Sequence, residues 1–158
     1  MRSTRSQLAL AVCVGALLLT WRAHIDQDVV VAQAPKPIMM TRLYTGADGL
    51  SHAEVIPMKL TGGGSSDMIK VTGAQFSRRA PGPASDWHVG PRRQFVITLS
   101  GRAELEVAGG KKVPIEPGHI TLIEDTTGKG HITKNVGPDD RIVVTIPLED
   151  QTVGRSGR

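Results

Sequence analysis

After residue 35, apolar and polar positions alternate over short stretches, and glycine or proline interrupts nearly every one. Successive side chains of a β-strand face opposite sides, so a period of two marks a strand with one buried face. The run AELEVAG has it most plainly: Ala103, Leu105 and Val107 share one face, Glu104 and Glu106 the other. IMMTRLY predicts a strand, TGADGL a turn, and AEVIPMKL a second strand. TGGGSSD is a flexible connection, and MIKVTGAQFSRR predicts one bent or two short strands around Gly73. APGPASD reads as a loop. RQFVITLSG is the strongest strand, SGRA turns it into AELEVAG, and GGKK makes the next hairpin turn. VPIEPG, HITLIED, GHITKNV and RIVVTIPLE complete the series. No segment here sustains the period of an amphipathic helix. Roughly eight to ten strands at about 8–12-residue spacing predict an all-β sandwich or barrel. Small ligands enter such a barrel at its mouth.

The front of the 158-residue chain has a different pattern. Arg2 and Arg5 precede an apolar run from Leu8 to Leu19, the layout of a secretory leader and too short to span a bilayer comfortably. Ala32-Gln33-Ala34 has the small-any-small order of a cleavage site. Residues 1–34 are therefore expected to be a signal peptide or, if uncleaved, an N-terminal anchor that is the protein's only membrane contact. Residues 35–150 are expected to form one barrel domain in the periplasm or outside the cell, and 151–158 a flexible tail. The only cysteine, Cys13, lies in the leader, and Val12 before it does not suit lipid attachment. The domain must hold together by its core rather than by disulfides. Net charge is mild, +4 from 19 Lys/Arg against 15 Asp/Glu, with the basic residues scattered. After residue 35 the aromatics are Tyr44, Phe76, Trp87 and Phe95, which make no stacking platform. Both observations argue against a nucleic-acid partner.

Two stretches carry candidate chemistry. Counting back six residues from Gly101 reaches Gln94; three more lead to Gly90, with His88 two before it. Further on, Gly128 is followed after two residues by His131 and after three more by Asn135. In this order and spacing the stretches resemble the two motifs of the cupin family. Motif one there reads His, any residue, His, three or four residues, Glu, six residues, Gly. Motif two reads Gly, five residues, Pro-any-Gly, two residues, His, three residues, Asn. This sequence departs at Gly90 and Gln94, at Thr126 in place of proline, and in the seven residues between Gly118 and Thr126. The resemblance covers about a third of the chain and implies a jelly-roll barrel with a small-molecule pocket. It also implies a divalent transition metal (iron, manganese, nickel or zinc) and an oxygenase, isomerase or lyase activity. The fold does not choose among these reactions.

The residues themselves weigh on that reading. If one strand runs from His88, then His88, Gly90, Arg92 and Gln94 face inward together, followed by Val96 and Thr98. His131 approaches from a neighbouring strand. Two imidazoles and an amide oxygen make half a metal shell with open positions. Gln94 is a neutral donor and Gly90 none, so His52 in DGLSHAE is the further metal-ligand candidate, a turn position being its default. Arg92 is expected to grip an acidic ligand or else to be solvated, and Trp87 to wall the pocket or fill the core. Glu124 and Asp125 would move protons or orient a histidine, or simply make a turn. His119 is expected at a turn or the surface. TGKG is no phosphate loop, lacking the earlier glycine and the hydroxyl residue. His88 and His131 favour a metal-dependent enzyme; Gly90 and Gln94 favour a metal-free, non-catalytic binding protein. Phe95, Ile97 and Leu99, outward in this register, offer a surface to a second copy or to another strand of the same chain.

Overall fold

The computed structural model describes residues 36–149, so the expected leader or anchor, 1–34, and the expected tail, 151–158, lie outside the described residues. Nine strands follow one another: β1 (Met39–Thr45), β2 (Ser51–Pro57), β3 (Gln75–Arg79), β4 (Gln94–Ser100), β5 (Arg102–Glu106), β6 (Lys112–Ile115), β7 (Ile120–Glu124), β8 (Ile132–Val136) and β9 (Arg141–Pro147). The only helical turns among the described residues are two three-residue 3-10 turns, Gly62–Gly64 and Ala108–Gly110. Before β3, MIKVT contributes only an isolated bridge from Val71 to Leu148, and the strand begins beyond Gly73.

The strands form a six-stranded sheet in the order β2-β1-β7-β4-β9-β3 and a three-stranded sheet in the order β6-β5-β8. Every pairing is antiparallel except that of β1 with β7. Leu43, Ala53 and Ile123 from the large sheet meet Ala103, Leu105 and Ile115 from the small one, with Val107, in a single buried cluster. Burying side chains of this kind is worth about 1.5–3 kcal/mol for each large aliphatic, and it holds the two sheets face to face. The β5 alternation works as the sequence requires, with Ala103 and Leu105 buried and Glu104 and Glu106 half-exposed. The domain is therefore all-β, a two-sheet jelly roll.

The segment ahead of β4 extends the smaller sheet. Ser85 N–H donates to Thr133 O (2.9 Å), His88 N–H to His131 O (3.0 Å), and His131 N–H back to His88 O (2.8 Å). Residues 85–88 thus lie beside β8 and its approach, bringing the two sequence motifs together.

Candidate functional site

A cavity of about 250 Å³ lies within the barrel. Gln94 and Val96 of β4, Thr121 and Ile123 of β7, and Leu105 of β5 form much of its wall. Strand alternation explains the choice, since each pair of residues on β4 and β7 is two apart and shares the inner face. His88 and His131 face each other across the bridge between their segments, with ring centroids 4.5 Å apart and planes inclined by 54°. His131 is buried and His88 exposed, so the pair runs from the interior to the rim.

Each imidazole is held through the same ring nitrogen. His131 Nδ1–H donates to Asp125 Oδ2 at 2.6 Å, and the buried Ser51 hydroxyl donates to that oxygen at 2.7 Å. Asp125 is fully buried behind His131, and its other oxygen has no hydrogen-bond partner. His88 Nδ1–H donates to the Asp86 carbonyl at 2.9 Å, with Ser85 Oγ 3.3 Å away. A ring whose Nδ1 carries the donated hydrogen keeps Nε2 as its second functional nitrogen, an acceptor when neutral. Both histidines therefore reach the cavity with one nitrogen committed and one free.

Close chain approach makes this pairing possible. Gly130 is buried with φ +76°, and a Cβ there would run into the His88 carbonyl. Only glycine combines that conformation with that contact.

At another part of the wall stand two guanidiniums. Arg79 of β3 and Arg141 of β9 are directly paired across the strands, and both line the cavity. Arg141 is only 4% exposed. Its Nε and one terminal nitrogen donate to the same hydroxyl, Thr98 Oγ1, at 3.2 and 3.0 Å. Burial, reinforced by the nearby charge of Arg79, pushes the Arg141 guanidinium down to about 10. His119 closes the turn that starts at Glu116, as the sequence allows, and lies half-buried with Nε2 unpartnered. Burial and then Arg141 push its imidazole below the usual histidine range.

The two motif segments thus meet at one paired-histidine wall inside a two-sheet jelly roll. The domain has the two-sheet jelly-roll fold that the motif resemblance implies. No family model matches the sequence, and no curated protein matches it. Solved structures similar to it include a cupin-2 conserved barrel domain protein from Salinispora arenicola, at 24% identity over 52% of this chain and 66% of that one (TM-score 0.40). This chain thus spans slightly less than two thirds of that protein. An uncharacterized conserved protein with a double-stranded β-helix domain from Klebsiella pneumoniae is 21% identical over 60% and 84% of the two chains (TM-score 0.40). A predicted oxalate decarboxylase from Thermotoga maritima is 18% identical over 70% and 94% (TM-score 0.38). None of them lends this chain a reaction.

Around the cavity, the expected residues divide. His88, Gln94 and His131 line it together; Arg92, Trp87, His52 and Glu124 do not. Arg92 is a correction. Strand β4 begins only at Gln94, because bends at 91–93, starting at Pro91, break the alternation, and Arg92 is exposed. Trp87 is half-buried, and its ring receives Lys129 Nζ 4.1 Å from the centroid instead of walling the cavity. His52 stacks at a tilt on Tyr44 and bonds through Nε2 to Asp48 Oδ2 at 3.0 Å, which places it in a local turn cluster. Glu124 follows Ile123 on β7 and faces the other way. Arg42 Nε reaches it at 2.6 Å and Arg93 Nε at 2.9 Å. Burial opposes its ionisation, but the two arginines prevail and hold its carboxyl below the usual glutamate range. The pinned carboxyl is an outer-face ion-pair centre that does not line the cavity. Asp125 does not line it either; it is bonded to His131.

The missing second motif histidine has a steric cause. A Cβ at Gly90 would meet the Cγ2 methyl of Ile123, a buried β-branched side chain. Ile123 occupies the space that a histidine at 90 would need.

The donor set is a poor match for a resident divalent cation. It offers two imidazoles and the amide of Gln94; among the described residues no carboxylate lines the cavity, and two guanidiniums do. Among the described residues no three His, Cys, Asp or Glu side chains gather as metal ligands. A cation would enter a positively charged chamber with little charge compensation.

Arg79, Arg141 and Ser51 were not singled out by the sequence; Thr98 was expected inward and is buried there. A signal existed for the arginines: Ser77 and Arg79 on β3, and Arg141 and Val143 on β9, are two apart and share the inner face.

Proposed function

We propose that this domain binds a small molecule without a resident metal, its free histidine Nε2 atoms accepting hydrogen bonds from the ligand. The observation that carries this reading is the common anchoring of His88 and His131 through Nδ1 at a cavity that no carboxylate of the described residues lines. Asp125 and Ser51 fix the ring of His131, so its orientation does not have to be found at binding; preorganisation of this kind raises affinity. The volume, about 250 Å³, lies just below the roughly 300–1,000 Å³ of drug-sized sites, so the ligand is small. Val96, Leu105 and Ile123 supply apolar contact for its carbon skeleton.

The test is a small-molecule screen read by the imidazole 1H–15N signals of uniformly labelled protein. Ligands that bind the cavity are expected to shift His88 and His131 together and leave His52 in place. Hits that move His52 alone, or none that moves the pair, contradict the proposal.

One observation favours the metal-dependent enzyme as a second reading. A carboxyl group bonded to the far nitrogen of an imidazole, as Asp125 is to His131, is also how metal-ligating histidines are oriented. An iron, manganese, nickel or zinc ion would then rest on His88, His131 and Gln94. We further propose that the domain acts outside the cytoplasm, on the support of the leader-like pattern of residues 1–34. We also propose that two copies pair through the outer face at Phe95, Ile97 and Leu99, supported by the exposure of Leu99 and of Phe76 on edge strand β3.

A further inference from the structure

Arg92 does not reach the cavity, so an acidic ligand needs another partner in the chain. The core contains one. Arg141 is a buried cation whose only side-chain acceptor among the described residues is the neutral Thr98 hydroxyl, and it forms no ion pair there. Directly across the strand pair is Arg79, and its charge lies close enough to depress the ionisation of Arg141. Like charges placed opposite each other in a sheet are destabilising, and a buried charge without a partner is strongly so. Here both line one cavity in which no aspartate or glutamate among the described residues answers them.

We infer that the cavity binds a small organic acid, its carboxylate held by Arg141 and Arg79 and its carbon skeleton by the apolar wall. This inference rests on the proposed ligand-binding function of the same cavity and supplies the ligand's class. A guanidinium presents a planar fork of donors that matches a carboxylate. Two nitrogens of Arg141 are used on Thr98, which fixes the plane of the group and leaves further N–H donors for a guest. Val96, Leu105 and Ile123 line the same cavity and suit carbon rather than a bare inorganic anion.

The experiment is titration calorimetry of the full chain with succinate, its uncharged counterpart succinamide, and inorganic phosphate. The imidazole signals of His88 and His131 are followed in parallel. Succinate is expected to bind and to shift both histidines, phosphate to bind more weakly, and succinamide not to bind measurably. Arg141→Gln is expected to weaken succinate by roughly tenfold or more, the scale of losing hydrogen bonds to a charged partner. Arg79→Gln, at an exposed position, is expected to weaken it several-fold and keeps the test intact if the buried variant does not fold. Succinate binding unchanged in both variants, or succinamide binding as tightly as succinate, overturns the carboxylate assignment. Phosphate binding as tightly as succinate overturns the organic-acid assignment. If only neutral molecules shift His88 and His131, the ligand-binding function stands and the acid inference falls. If nothing shifts them, both fall.

Discussion

Gly130→Ala is expected to lower the melting temperature by about 15 °C, the largest effect of any single methyl group in this domain. Two costs combine. Glycine adopts φ +76° freely, whereas alanine in the left-handed region loses roughly 1–2 kcal/mol. The new Cβ also meets the carbonyl of His88, backbone that is itself tied to His131 in both directions. Forcing a methyl into closed packing adds about 1–3 kcal/mol. The sum, about 4 kcal/mol, corresponds to the stated shift at roughly 4 °C per kcal/mol for a domain of this size. Gly109→Ala separates the terms, because it has φ +73° with nothing near its Cβ. It should lose only the first, so a melt of Gly130→Ala no lower than that of Gly109→Ala would show that the His88–His131 bridge does not depend on the close approach.

Asp125→Ala is expected to lose about 3 kcal/mol in urea unfolding. The carboxyl oxygen accepts from the buried ring of His131 and from the buried Ser51 hydroxyl, so its removal orphans two donors. Each costs about 1–3 kcal/mol when left unsatisfied. Asp125→Asn keeps an acceptor oxygen of nearly the same shape and should lose about 1 kcal/mol. Both variants should also weaken ligand binding, since the ring of His131 is no longer held. Equal stability of the Ala and Asn variants would mean that packing, and not this hydrogen-bond pair, retains the carboxyl there.

The parts of this molecule readable from sequence are those set by local periodicity. β5 declared its buried face through Ala103 and Leu105, and β4 placed Gln94 and Val96 inward. Extending that alternation back to Arg92 failed at Pro91, which forces a bend and ends the strand at Gln94. Arg79 and Arg141 obeyed the alternation of β3 and β9, but arginine is so often solvated that its inward position carries no signal without the fold. The partners of Glu124 and Asp125 depend on the parallel β1–β7 pairing, which sets Glu124 beside Tyr44 and brings Arg42 and Ser51 to residues 82 and 74 positions away. No local pattern encodes such a pairing. The empty place at Gly90 is likewise intelligible only once Ile123 is seen to fill it.

The central claim is that the paired histidines and arginines form a cavity for a small molecule rather than a metal centre. Elemental analysis of the purified, untagged protein, after incubation with iron, manganese, nickel and zinc and removal of excess ion, tests it most directly. The account predicts far less than one equivalent of any of the four, and no difference in a His88→Ala, His131→Ala variant. Close to one equivalent in the parent, lost in the double variant, would contradict it and restore the metal-dependent reading.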